Sequence, residues 1–157
     1  MAEESAQQRA AARLFVERFS SALSYMALLR AEEGSEAEAE AQQALAEQAL
    51  AEQALVLGMQ STDAFLRAYA DAEGPFFLRD FALAEEACAP FALRFWRVLP
   101  AMRPQFAPSA LLEEHQLDRL KAWLEAVVSR PSVTATAVSP EEMVSSYTSM
   151  LERMKAQ

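Results

Sequence analysis

The chain has 157 residues, 52% hydrophobic and 24% charged, which is long enough for one full core and too apolar for a disordered segment. Only three glycines occur, and alanine, leucine, glutamate and glutamine dominate, a bias toward helix and against a sandwich or barrel. The net charge of −9 argues against DNA, RNA and anionic lipid surfaces as partners, since these call for a basic patch.

In chain order, Ser5 and Gln8 have capping-box spacing. Phe15, Phe19, Ala22 and Met26 then recur at helical spacing, which predicts a helix over about 6–31 that ends near Gly34. Ser35 and Glu38 form a second capping box, opening a long helix over about 36–72. No lysine or arginine lies between Arg30 and Arg67, whereas eight acids do. The plain reading is a solvated acidic helix, and the sharper one an acidic docking face for a basic partner. Within it, Leu-Ala-Glu-Gln-Ala starts at Leu45 and again at Leu50. A period of five does not match 3.6 residues per turn, so helix propensity rather than deep packing should hold this part. Leu55, Met59, Thr62, Leu66 and Tyr69 do share a face, and that half should be the buried one. Gly58 weakens the helix by roughly 1 kcal/mol relative to alanine and marks a close helix contact or a bend.

Gly74-Pro75 should end this helix, with Phe76, Phe77, Leu78 and Phe81 as an apolar connection. A helix over about 83–99 follows, apolar almost all round, with Pro90 expected to kink it into two pieces. Pro100, Pro104 and Pro108 should break the next loop. Ser109 opens a further helix with Leu112, Leu117, Leu120, Trp123, Leu124 and Val127 inward, ended by Arg130-Pro131. Val133 to Thr136 reads as a short extended link because of its β-branched residues. Ser139, Pro140 and Glu142 start the last helix, over about 140–154. The sum is one all-α domain over 1–157, a multi-helix bundle of about six helices.

Two stretches carry a resemblance. Gly74-Pro75-Phe76-Phe77-Leu78 leads into a helix holding Pro90, and a later segment containing Trp123 ends in Arg130-Pro131. Together they resemble the C-terminal helical domain of glutathione S-transferases, most like the plant-type, omega and lambda branches, over about residues 10–140. Gly74, Pro75, Phe77, Glu85, Pro90, Arg130 and Pro131 are the structural-motif positions of the resemblance. Three positions depart from the family's usual form: Arg79 stands at a glycine, Ala82 at the serine or threonine that caps the helix, and Glu85 at that cap's aspartate partner. In that family a thioredoxin-like domain precedes these helices and supplies the activating residue, a cis-proline and most glutathione contacts. No βαβ pattern precedes Leu14, so these have nowhere to map.

The chemistry-bearing residues are few. Cys88 and His115 are the single cysteine and histidine, so a disulfide framework or a multi-histidine metal site cannot form within the chain. Cys88 does not match the family's catalytic cysteine and reads as a small buried thiol. Glu85-Glu86 point about 100° apart on a helix, which suits helix-start electrostatics better than acid–base catalysis. Glu113-Glu114-His115 lacks further ligands. Arg94, Trp96, Arg97, Met102 and Arg103 form the one basic and aromatic cluster, a candidate partner interface if Trp96 is not core. No catalytic residue, metal or cofactor is assigned. No run of 18 apolar residues occurs and no secretory signal is visible, so no transmembrane span and an intracellular setting are expected. The leading expectation is a non-catalytic transferase-like module for protein–protein interaction or a small structural subunit of a larger assembly, with a protein partner or self-association covering an exposed apolar face. The alternatives are part of a split glutathione transferase or reductase, or a carrier of a small apolar ligand.

Overall fold

The computed structural model describes residues 5–31 and 38–156, with the side chains of the long helix described from residue 42. The expected Ser35–Glu38 capping box lies outside the described residues. Among the described residues the chain is all-helical: α1 (Ala6–Ala22), α2 (Met26–Arg30), α3 (Glu38–Tyr69), α4 (Leu83–Met102), a 3₁₀ turn (Pro104–Phe106), α5 (Pro108–Glu114), α6 (Asp118–Ser129), α7 (Pro131–Thr136) and α8 (Pro140–Lys155). One isolated bridge between Leu78 and Asp80 is the nearest approach to a strand.

Ser5 and Gln8 do form the capping box of α1, each side chain accepting from the other residue's backbone N–H. The helix expected over 6–31 is nonetheless two helices. Continued unbroken, it would point Leu28 about 140° away from Phe15. The turn at Leu23–Tyr25 re-aims the chain so that Phe15, Tyr25 and Leu28 are all buried.

The helix predicted from Ser109 is likewise split. It begins at Pro108, and Gln116 takes φ 55 between α5 and α6. Leu117 N donates to Leu112 O (2.9 Å) and Gln116 N to Glu113 O (3.1 Å), the two bonds of a Schellman ending. In one straight helix Leu111 and Leu124 would point about 140° apart; the break lets both be buried.

Two further expectations are corrected. Val133 to Thr136 is helical, not extended. Pro131 stands at the first helical position, and the Arg130 carbonyl accepts from Val133 N (3.0 Å) and Thr134 N (2.9 Å). Burial of Val133 against the bundle overrides its β preference. Helix α4 runs unbroken through Pro90, and Pro100 lies inside it rather than in the loop. The preceding helix stops at Tyr69, so Gly74-Pro75 sits in the connection to α4.

The core is one contiguous cluster. At its centre Phe15 meets Phe19 (5.4 Å between centroids), Phe77 (5.1 Å) and Trp123 (5.2 Å), joining α1, the α3–α4 connection and α6. At Gly58 α1 and α3 approach closely. A Cβ placed on it would lie 1.7 Å from the carbonyl oxygen of Ala22.

Candidate functional site

The deepest polar group is Glu85, fully buried in the first turn of α4. One carboxylate oxygen accepts from Phe77 N (2.7 Å) and from the Trp123 indole N–H (2.9 Å). The other accepts from Ala82 N (3.1 Å). Three donors from three segments therefore converge on it, which makes it a tie between the α3–α4 connection, α4 and α6. Ala82 is the N-cap and has no side-chain oxygen to return a bond, so no N-cap side chain bonds the first amides of α4.

Two residues the sequence did not single out complete this tie. Arg119 donates to the carbonyls of Pro75 (2.8 Å), Phe76 (3.0 Å) and Asp71 (3.3 Å), clamping the connection onto α6. Burial lowers its pKa from the ordinary arginine value, while Asp63, Glu85 and Asp71 act in the opposite sense. Asp63, buried on α3, accepts from Leu120 N (2.8 Å) in the first turn of α6 and from Arg67 Nε (2.5 Å). A polar residue within a run of apolar helical positions was the available signal for Asp63. For Arg119 there was none, because its partners are backbone atoms more than forty residues away.

Of the positions of the resemblance, Pro75, Phe77 and Glu85 take part in this tie, whereas Pro90 lines a separate cleft on α4. Gly74 lies close under Arg79, its would-be Cβ 3.1 Å from the Arg79 carbonyl oxygen. Arg79 takes φ 51, a left-handed conformation that favours glycine, and its guanidinium pairs with Glu73. Phe77 is buried, and Arg130 stacks over Phe81 at 4.1 Å ahead of Pro131.

The candidate interface residues are divided between faces of α4. On α4, Arg94 and Trp96 point about 160° apart. Arg94 lies over the Phe91 ring (4.6 Å) and donates to the Pro90 carbonyl (2.9 Å). Trp96 and Met102 pack partly against the core, and Arg97 is half-buried. Arg103 donates to the carbonyls of Leu28 (3.2 Å) and Ala31, satisfying the C-terminal end of α2.

Two other surfaces stand out. A cleft of about 520 Å³ opens between α4, α7 and the start of α8, lined chiefly by apolar side chains with Glu86 and Arg94 on its α4 side. The second is the outward face of α3. Leu45 and Leu50 are 65% and 67% exposed and Leu57 is 57% exposed, as the five-residue repeat anticipates for the first two. Ala46, Leu50, Gln53, Leu57, Gln60 and Ala64 follow a three-four spacing and are all exposed. No charged residue stands among them.

Cys88 is buried, and burial, with Glu85 adding, pushes its thiol up to about 12. Such a thiol stays protonated and unreactive. Among the described residues no group of three or more His, Cys, Asp or Glu side chains could hold a metal ion, and no helix is long and apolar enough to cross a membrane. Compared with protein-family models, curated proteins and solved structures, the chain matches none.

Proposed function

We propose that this chain is a non-catalytic helical module of the glutathione-transferase C-terminal type, a small structural subunit that works through protein–protein contact. Three features support the resemblance: the left-handed backbone at Arg79, where the family has glycine, the Glu85 carboxylate bonded to the N–H of the capping residue, and the helix that carries Pro90.

The observation that carries the interaction reading is the uncharged outer face of α3. A solvated helix face normally bears charge; here leucines, alanines and glutamines recur at heptad spacing instead. The occupant such a face fits is a second copy of this chain. In parallel pairing Leu50 and Leu57 meet their equivalents, and Gln53 and Gln60 hydrogen-bond across the seam. A chain of net charge −9 repels its copy elsewhere, and none of the six seam residues is charged. The stripe from Ala46 to Ala64 spans 19 residues, just under the roughly three to four heptads over which such a repeat reads as a coiled coil. Light scattering across a concentration series tests this. A concentration-dependent dimer that the double substitution Leu50→Glu, Leu57→Glu makes monomeric is the expected result. A monomer at every concentration refutes it.

The rival reading, part of a split glutathione transferase or reductase, is separated by calorimetry. The isolated chain is expected to give no heat with glutathione, and clear binding reverses the ranking.

A further inference from the structure

We propose that the pocket between the α1–α2 turn, α4 and α8 is a binding site for a small monocarboxylate of about the bulk of benzoate. The reading rests neither on docking at α3 nor on the resemblance.

The break between α1 and α2 makes the room. Leu23, Met26 and Phe91 supply apolar walls to a pocket of about 170 Å³. A cavity of about 150 Å³ admits benzene, so the space suits one ring with a small head group. The polar lining is the Arg94 guanidinium and the hydroxyls of Ser20, Ser24, Tyr25 and Tyr147, with no carboxylate among them. Arg94 is held over the Phe91 ring (4.6 Å) and its Nε is bonded to the Pro90 carbonyl (2.9 Å). A guanidinium only donates. The Tyr25 and Tyr147 hydroxyls are bonded to each other (3.0 Å). Two hydroxyls have two protons and that bond uses one, so the pair keeps one to donate. Burial and then the Tyr147 bond raise the Tyr25 pKa from its ordinary value, while Arg94 acts in the opposite sense. The pair therefore stays protonated. A donor-rich lining with one positive charge and no acid matches one anionic head, and a carboxylate fits the guanidinium fork.

The neighbouring acids stand off. Glu17, one turn before Ser20, is exposed and outside the lining. On α8, Glu142 and Glu152 each lie five residues from Tyr147, about 140° round the helix. Glu86 is two turns from Arg94, about 12 Å by helical rise, in the separate cleft of α4. Arg94 borders that cleft too. There Glu86 opposes an anion, and the Arg130 guanidinium, lying over Phe81 and bonded to Ser132, opposes a cation. The mixed charge selects neither sign.

The test is calorimetric titration of the full chain with benzoate, benzamide and benzamidinium, which share a ring and differ in head-group charge, and with inorganic phosphate. Benzoate is expected to bind at least tenfold more tightly than benzamide, as charge-assisted hydrogen bonds imply, and more tightly than benzamidinium or phosphate. The net charge of −9 works against anions in general, so this preference reads the local guanidinium. Arg94→Met keeps the bulk and is expected to lose at least tenfold in benzoate affinity while leaving benzamide unchanged. Because Arg94 borders both spaces, two further variants locate the site. Ser24→Glu, at an exposed position, puts a like charge in this pocket alone and should lose at least tenfold. Arg130→Gln alters the cleft alone and should bind as the parent does. Circular dichroism checks that each variant is folded. Equal binding of benzoate and benzamide overturns the proposal. So do tighter binding of benzamidinium or phosphate, undiminished affinity in Ser24→Glu, lost affinity in folded Arg130→Gln, or no binding of benzoate.

Discussion

Replacing Gly58 by alanine isolates what tertiary contact adds to helix propensity. In an open helix the change is worth about 1 kcal/mol in favour of alanine. Here the new Cβ would sit 1.7 Å from the Ala22 carbonyl oxygen and 2.7 Å from its carbon, both backbone atoms. No rotamer can relieve the clash, so α1 and α3 must separate by more than an ångström where they cross. That separation would loosen Phe19 and Met59, both fully buried. Overpacking typically costs about 1–3 kcal/mol, and a backbone clash belongs at the upper end. After subtracting the propensity gain, a net loss of about 2 kcal/mol is expected. For a chain of this length that lowers Tm by roughly 4–8 °C. Thermal and urea unfolding followed by circular dichroism measure it. Ala49→Gly, exposed on the same helix, should cost about 1 kcal/mol by propensity alone. Propensity by itself makes the two changes opposite in sign; the contact makes both destabilising. A Gly58→Ala protein as stable as the parent would refute the close crossing.

Ala82→Ser supplies the missing cap oxygen to the amide of Glu85 and should raise stability by about 1 kcal/mol, read as a higher Tm. Gln116→Gly relieves the left-handed residue at the end of α5 and should gain roughly 0.5–1 kcal/mol, since the steric relief exceeds glycine's entropic cost there. Glu85→Leu strands the Phe77 amide and the Trp123 indole N–H, and should cost about 3 kcal/mol or more in urea unfolding. The Cys88 thiol should resist a disulfide reagent until the protein unfolds. Because its folded pKa is raised to about 12, the unfolded chain releases this proton first as pH rises. Stability therefore falls from the ordinary thiol range toward about 12, by at most about 1.4 kcal/mol per pH unit. Cys88→Ala should flatten that part of the slope, which paired denaturation curves at alkaline pH would show.

Much of the architecture was local and so was legible in the sequence. The capping boxes at Ser5 and Ser139, the helical period of Leu55, Met59 and Leu66, and the exposed leucines of the five-residue repeat all follow from interactions within a turn or two. The all-helical fold rests on such terms, since composition and spacing already bias each segment. What tertiary structure decided is where helices stop and what polar groups tie together. The breaks at Leu23–Tyr25 and Gln116 exist because Leu28 and Leu111 would otherwise face away from a core that no local pattern describes. Val133 is helical because its burial outweighs a weak β preference. The convergence on Glu85, the clamp of Arg119 and the cap that Asp63 lends to α6 join residues dozens of positions apart. Pairing at that range depends on which faces meet, and only the packed bundle brings those faces together.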